Sequence, residues 1–180
     1  MSNIDDSGIP EAWPPVGTSP AAPWGVPNPE RILGRTDYAQ EAGLPEQFTI
    51  VIVEDSSSDL LLIQMALTEH AVARQLFLAR DGEDAIQLFD DIDAATLPCP
   101  DLVIVDLNLP KRNGFDVLRR IRSSPLCAAK PVIILSSTKR ASDQDEAHRL
   151  GATLFISKPS DLADYLAIGQ NIKQLLLKTQ

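Results

Sequence analysis

The sequence has only two cysteines, Cys99 and Cys127, which lie far apart in the chain. Neither belongs to a Cys-x-x-Cys pair or to a histidine-rich stretch. This usage fits a reduced compartment better than a disulfide framework or a zinc site. We therefore interpret both cysteines as structural or incidental.

Long apolar runs are also missing. No stretch approaches the roughly 18 uninterrupted apolar residues that a membrane-spanning helix needs. The first residues, MSNIDDSGIPEAW, carry acids and lack the basic segment and apolar run of a secretory signal. We therefore expect a cytoplasmic protein that does not span a membrane.

Basic residues are outnumbered by acidic ones. Lys and Arg together number 16 and Asp and Glu 25, which gives a formal net charge of -9 at pH 7. Affinity for nucleic-acid phosphates or anionic lipid depends heavily on clustered Lys and Arg. We therefore expect the protein to bind neither nucleic acid nor a membrane surface.

Residues 1–47 differ in composition from the rest of the chain. They contain eight of the fourteen prolines and five of the nine glycines, with no sustained helix or strand periodicity. Such a segment buries too little apolar surface to offset its ordering entropy, so we predict a mostly disordered tail. Trp13 and Trp24 lie within it, and the tail is either a docking segment or, as we favour, a tolerated extension.

Residues 48–180 show a regular alternation of apolar strands and amphipathic helices. The run FTIVIV is β-branched and too short for a helix, which is typical of a strand buried on both faces. Strands are predicted at 48–53, 74–79, 101–107, 131–137 and 153–157, and helices at 56–70, 82–92, 114–124, 142–150 and about 161–177. Five such units predict an α/β domain with a doubly wound, five-stranded parallel sheet of the flavodoxin-like kind.

Polar residues follow four of the predicted strands. In a parallel sheet the carboxyl ends of the strands meet at one edge, where ligands bind. Three clustered carboxylates repel one another unless a cation lies among them, and oxygen ligands suit Mg²⁺ or Mn²⁺ better than zinc. The residues at this edge are Glu54, Asp55, Asp106, Ser136, Ser137 and Lys158.

Each of these residues alone has an ordinary explanation. A carboxylate after a strand is most often a helix cap, a serine there usually belongs to a turn, and a lysine is usually solvated. The combination is more specific, because four strands of one sheet end in residue types that phosphoryl transfer requires.

The sequence resembles the receiver domains of two-component response regulators from about Thr49 to its end. The resemblance rests on the motifs VIVEDSSSD, DLVIVDLNLPKRNGFDVL, PVIILSST and LFISKP. The stretches VEDSSSDLLLIQMAL and NLPKRNGFDVLRRIR look most like single-domain regulators that partner bacterial phytochrome histidine kinases. The resemblance implies the (βα)5 receiver fold and a role as a phosphoprotein of signal transduction.

The same resemblance assigns roles to individual residues. Asp106 would accept a phosphoryl group from a histidine kinase or a phosphotransfer protein. Lys158 would add positive charge, Ser136 would bind the attached phosphate, and Phe155 would turn inward as the switch. Mg²⁺ or Mn²⁺ would lie among Glu54, Asp55, Asp106 and the backbone carbonyl of Asn108. The Lys158–Pro159 peptide would be cis.

Two other functions compete with this one. A pseudo-receiver would bind partners without being phosphorylated, and the complete set of site residues argues against it. A metal-dependent phosphatase with an Asp nucleophile generally needs a second acid two residues further on, where this chain has Asn108, and a cap insertion is also missing. We therefore expect a phosphoacceptor rather than an enzyme.

The last predicted helix is more apolar than one buried stripe requires. A homodimer, or a partner docked on this helix, the last strand and the preceding helix, is one explanation, and core packing is the other. The pattern ends one helix after the last strand, so no output domain is expected. The apolar residues are Leu162, Leu166, Ile172, Leu175, Leu176 and Leu177.

Overall fold

The computed structural model describes residues 48–72 and 74–178, in which five strands alternate with five helices. The strands are β1 (Phe48–Val53), β2 (Arg74–Ala79), β3 (Leu102–Val105), β4 (Val132–Ser136) and β5 (Leu154–Ser157). The helices are α1 (Ser57–Glu69), α2 (Gly82–Asp93), α3 (Gly114–Ser123), α4 (Ala141–Arg149) and α5 (Leu162–Lys178). The predictions for residues 1–47, including those for Trp13 and Trp24, lie outside the described residues.

The strands form one parallel sheet in the order β2-β1-β3-β4-β5. The chain runs outward from β1 to β2 and then returns to β3 on the other side of β1. The strand order therefore reverses between β1 and β3, and the carboxyl ends of these two strands flank the crevice where doubly wound sheets bind ligands. The predicted fold class is confirmed.

Two apolar clusters cover the two faces of the sheet. Along β1, Val51 and Val53 pack with α2 and α3, whereas Ile50 and Ile52 pack with α1 and α5. This alternation follows from the two-residue period of a strand, and apolar residues on both faces explain the continuous apolar run.

The helices begin where short polar side chains satisfy free backbone N–H groups. Ser56 caps α1, Asp81 caps α2 and Asn113 caps α3, and each side chain accepts from the N–H three residues further on. These caps fix the first turns of three helices beside the strand ends. None of the helices in the described part of the chain is long and apolar enough to cross a membrane.

The prediction for the cysteines is wrong in one respect, because Cys99 and Cys127 form a disulfide with a Cα–Cα separation of 5.8 Å. The two residues lie in the loops that precede β3 and β4, and these strands are neighbours in the sheet. Cys127 is buried and Cys99 packs against the same apolar cluster. Sequence spacing did not reveal this proximity, which depends on strand order.

Candidate functional site at the carboxyl ends of the strands

The backbones of β1 and β3 fix the position of two buried carboxylates. Glu54 donates its N–H to the carbonyl of Ala79 at 3.1 Å, and Asp106 donates its N–H to the carbonyl of Val53 at 3.0 Å. Both residues are therefore continuous with the sheet at the point where its order reverses. Glu54 is 3% exposed and Asp106 is 5% exposed.

Asp55 completes a cluster of three carboxylates. One oxygen from each of Glu54, Asp55 and Asp106 lies within 4.8 Å of the others. Asp55 is exposed, so the cluster opens to solvent on one side. An all-oxygen set of this size fits a hard divalent cation such as Mg²⁺ or Mn²⁺.

Lys158 lies against three carboxylates. Its Nζ is 2.6 Å from Asp106 Oδ2, 2.8 Å from Glu54 Oε2 and 2.5 Å from Asp59 Oδ2. The Lys158 side chain is only 7% exposed. Its backbone N–H donates to the carbonyl of Ser136 at 2.8 Å, which fixes the start of the side chain relative to β4.

Burial and charge act in opposite directions on this group. Burial alone would lower the pKa of Lys158, but the hydrogen bonds that it donates to Asp106, Asp59 and Glu54 outweigh burial and raise that pKa above its ordinary value. Burial also raises the pKa of Glu54, and the contact with Lys158 opposes the rise only in part. Lys158 is therefore charged at neutral pH and offsets part of the negative charge of the cluster.

Asp59 is the residue of this site that the sequence analysis missed. It lies in the first turn of α1, three residues after the capping Ser56. An acid at that position is usual in any helix, which is why it was not singled out. A signal was present, since the first turn of a helix that follows β1 begins at the same edge of the sheet as Glu54.

Of the two predicted switch residues, Ser136 ends β4, next to the loop that follows this strand, and Phe155 lies in β5. Ser136 is fully buried, and its Oγ accepts from the N–H of Thr138 at 3.3 Å. Thr138 in turn donates its hydroxyl to Asp143 at 2.7 Å, so the loop is tied to the start of α4. Phe155 is half-buried in β5, where it packs against the α2 and α3 side of the core.

Asn108 lies two residues beyond Asp106. It is exposed, and its backbone N–H donates to Asp106 Oδ1 at 3.0 Å. The two oxygens of Asp106 therefore have different partners, a backbone amide for one and the Lys158 ammonium for the other.

The prediction for the Lys158–Pro159 peptide is wrong, because no peptide bond in the described residues is cis. The trans form of a bond before proline is lower in free energy by about 0.5–1 kcal/mol. Lys158 makes its three carboxylate contacts from the trans peptide.

A doubly wound sheet that brings a carboxylate cluster and a buried lysine to its switch point is the architecture of a receiver domain. The chain belongs to the response regulator receiver domain family, whose model matches residues 50–168. The family predicted from the sequence motifs is confirmed.

Two relatives, one of them compared both by sequence and by structure, illustrate the similarity. Response regulator Rcp1 of Synechocystis sp. is 30% identical over 131 residues, which cover 72% of this chain and 89% of Rcp1. The phosphorylated cyanobacterial phytochrome response regulator RcpA, whose crystal structure is known, is 32% identical in sequence. The two structures match with a TM-score of 0.68 over 75% of this chain and 97% of RcpA. The Mn²⁺-bound form of Rcp1 is 30% identical, with a TM-score of 0.66 over 74% of this chain and 96% of that one.

Proposed function

We propose that this protein is a single-domain response regulator in which Asp106 accepts a phosphoryl group from a phosphohistidine. The observation that supports this most is the pairing of Asp106 Oδ2 with the Lys158 ammonium at 2.6 Å, inside a carboxylate cluster. An oxygen of Asp106 attacks phosphorus, the N–P bond of the donor breaks, and the imidazole takes a proton from solvent. The product is an aspartyl phosphate.

Charge neutralisation is the main catalytic requirement of this transfer. Glu54, Asp55 and Asp106, with the backbone carbonyl of Asn108, would hold Mg²⁺ or Mn²⁺, which supplies positive charge beside the phosphoryl oxygens. The mutual distances of the three carboxylates support this assignment, and so does the Mn²⁺-bound form of Rcp1. Lys158 supplies a second positive charge, next to Asp106 Oδ2.

The attached phosphate would then act on the loop after β4. Ser136 and a backbone amide near Ser137 would hydrogen-bond its oxygens and draw the loop toward Asp106, and Phe155 would turn inward. The hydrogen bonding of Ser136 supports the proposal. Within the described residues, its Oγ accepts one hydrogen bond, from the N–H of Thr138 at 3.3 Å.

We infer a histidine kinase as the donor, of the phytochrome type because RcpA is a phytochrome response regulator. The role is that of a cytoplasmic phosphoacceptor rather than an enzyme with its own substrate. The phosphatase alternative is weakened by Asn108, which cannot act as the general acid. The pseudo-receiver alternative is weakened because Lys158 contacts both Glu54 and Asp106.

A homodimer through α4, β5 and α5 remains a proposal. Of the six apolar α5 residues named above, Ile172 and Leu176 are buried in the cluster shared with α1 and the sheet, whereas Leu162 and Leu177 are exposed near opposite ends of the helix. Core packing therefore accounts for part of the apolar excess. Size-exclusion chromatography with light scattering, before and after phosphorylation, tests the dimer, and a strict monomer in both states rejects it.

The phosphoacceptor proposal is tested by intact-mass analysis after incubation with Mg²⁺ and phosphoramidate. We expect one phosphoryl adduct, dependent on Mg²⁺ and absent from Asp106→Asn. Asp101→Asn, which removes an acid remote from the cluster, is the matched control and should be phosphorylated like the wild type. A folded wild-type protein without any adduct would favour the pseudo-receiver instead.

A further inference from the structure

We propose that Asp59 is a positioning residue that keeps the Lys158 ammonium in the site while Glu54 and Asp106 bind the metal and the phosphoryl group. This inference rests on the proposed phosphoacceptor function. The contact on which it depends is the 2.5 Å distance from Lys158 Nζ to Asp59 Oδ2, between residues 99 positions apart in sequence.

The three acceptors of Lys158 are not equivalent. An ammonium group has three hydrogens to donate, and Glu54, Asp59 and Asp106 accept them. Glu54 and Asp106 also belong to the carboxylate cluster that fits a divalent cation, whereas Asp59 does not. Among the described residues, Asp59 is therefore the carboxylate partner of Lys158 that a bound metal would not share.

The partners of Lys158 would change during metal binding and phosphoryl transfer. When Glu54 and Asp106 direct their oxygens to the metal and to phosphorus, Lys158 loses two of its charged partners. Because an unrestrained lysine side chain has many rotamers, an ammonium without a fixed partner would spend less time beside the phosphoryl oxygens. Asp59 keeps one strong, charge-assisted hydrogen bond to it throughout.

The local structure places Asp59 well for this role. Its backbone N–H donates to Ser56 Oγ at 3.3 Å, which fixes the first turn of α1. Its side chain is 26% exposed, so the carboxylate is partly hydrated yet lies at the edge of the buried lysine. The contact joins α1 directly to the end of β5.

An ordinary role at the helix start does not account for these contacts. Acids in a first turn are favoured by the helix dipole whether or not a lysine is near. Asp84 occupies the same position in α2, where its N–H donates to the capping Asp81 at 2.8 Å. Asp84 therefore serves as the matched control, since it has the same place in a helix without the contact to Lys158.

The first experiment compares Mg²⁺ binding by isothermal titration calorimetry in the wild type, Asp59→Asn and Asp84→Asn. In Asp59→Asn, Lys158 keeps Glu54 and Asp106 as carboxylate partners, and both of these would also bind the metal. We expect Mg²⁺ affinity to fall about tenfold, the lower end of what loss of a residue supporting metal ligands costs. Asp84→Asn should bind Mg²⁺ like the wild type.

The second experiment is a double-mutant cycle on the rate of phosphorylation by phosphoramidate at saturating Mg²⁺. We expect Asp59→Asn to lower the rate about tenfold in the wild-type background, because the lysine loses its position. In a Lys158→Gln background the same change should alter the rate less than about twofold, because the group on which Asp59 acts is gone.

The outcomes separate this inference from the proposed function. Equal losses of rate in both backgrounds, or wild-type Mg²⁺ affinity and rate in Asp59→Asn, would overturn the role of Asp59 and leave the phosphoacceptor function intact. A wild-type protein that binds Mg²⁺ but is never phosphorylated would overturn the proposed function itself. Circular dichroism of each variant confirms that the fold is kept.

Discussion

Lys158 is a buried cation whose position depends on its acidic neighbours. Removing an ammonium from water is costly, and only well-placed partners compensate for it. Three carboxylates within 2.8 Å provide those partners. Each residue of this group therefore depends on the others, and a change at one of them alters both the charge and the geometry of the site.

Tyr165 on α5 is a buried residue with a polar group. It is 3% exposed, and its hydroxyl has no hydrogen-bond partner in the described part of the chain. Burial raises the pKa of Tyr165, and the charge of Asp59 raises it further, so the hydroxyl is neutral at physiological pH. A buried hydroxyl without a partner costs stability.

We predict that Tyr165→Phe raises the free energy of unfolding by about 1 kcal/mol, because the unsatisfied hydroxyl is removed while the ring is kept. Urea denaturation of both proteins measures the difference. A lower stability in Tyr165→Phe would show that the hydroxyl has a hydrogen-bond partner in solution.

The residues of the site divide by how readily sequence reveals them. Glu54, Asp106 and Lys158 each come directly after a strand, so strand topology alone places them together. Asp59 lies within a helix, and its contact with Lys158 depends on the rotamers of both side chains, which are 99 positions apart in sequence. That kind of contact has no local pattern, which is why the sequence did not predict it.

At the scale of the elements, the start of α3 lies very close to the end of β3. A Cβ on Gly114 would lie 2.2 Å from the carbonyl oxygen of Asp106 and 2.8 Å from the Cα of Leu107. The Gly114 N–H donates to the Leu107 carbonyl at 3.0 Å. The absence of a side chain at Gly114 thus lets α3 approach the backbone that carries Asp106.

We predict that Gly114→Ala lowers the free energy of unfolding by about 2 kcal/mol and also slows phosphorylation, because backbone atoms of Asp106 must shift. Gly169→Ala is the matched control, since its Cβ would lie 2.1 Å from the carbonyl oxygen of Ala66, between α1 and α5. Both variants should lose stability in urea denaturation. An equal loss of phosphorylation rate in the two variants would contradict a specific effect on Asp106.

The elements also show where sequence prediction ends. Apolar runs predicted all five strands, yet β3 was predicted to span 101–107 and its ladder covers only Leu102–Val105. The strand assignment ends at Val105, although Asp106 still donates its N–H to the carbonyl of Val53, and the chain bends from Leu107 on. The pairing of Cys99 with Cys127 was missed for a related reason, since it follows from the adjacency of β3 and β4.

For the molecule as a whole, ion pairs between elements make stability depend on pH. Asp93 at the end of α2 accepts from the hydroxyl of Ser124 at 2.5 Å and from Arg120 at 2.7 Å. The hydrogen bond from Ser124 has the largest effect, and together with Arg120 it holds the pKa of Asp93 below its ordinary value of 3.8. The unfolded chain therefore binds a proton at Asp93 more readily than the folded one.

We predict that the stability contributed by Asp93 is fully present above pH 3.8 and is lost as the pH falls through the lowered pKa. Asp93→Asn should be less stable than the wild type at pH 7, and the difference should shrink at pH 3. Urea midpoints at the two pH values measure it. A difference that stays constant would show that Asp93 has the same pKa in both states.

Phosphorylation of Asp106 would form one acyl phosphate bond, and chemical trapping identifies the residue that carries this bond. The protein is phosphorylated with phosphoramidate and Mg²⁺, reduced with borohydride, digested and sequenced by mass spectrometry. Borohydride converts an aspartyl phosphate to homoserine, so we predict homoserine at position 106 and at no other aspartate. Homoserine at Asp55 or Asp59, or an adduct that borohydride does not convert, would contradict it.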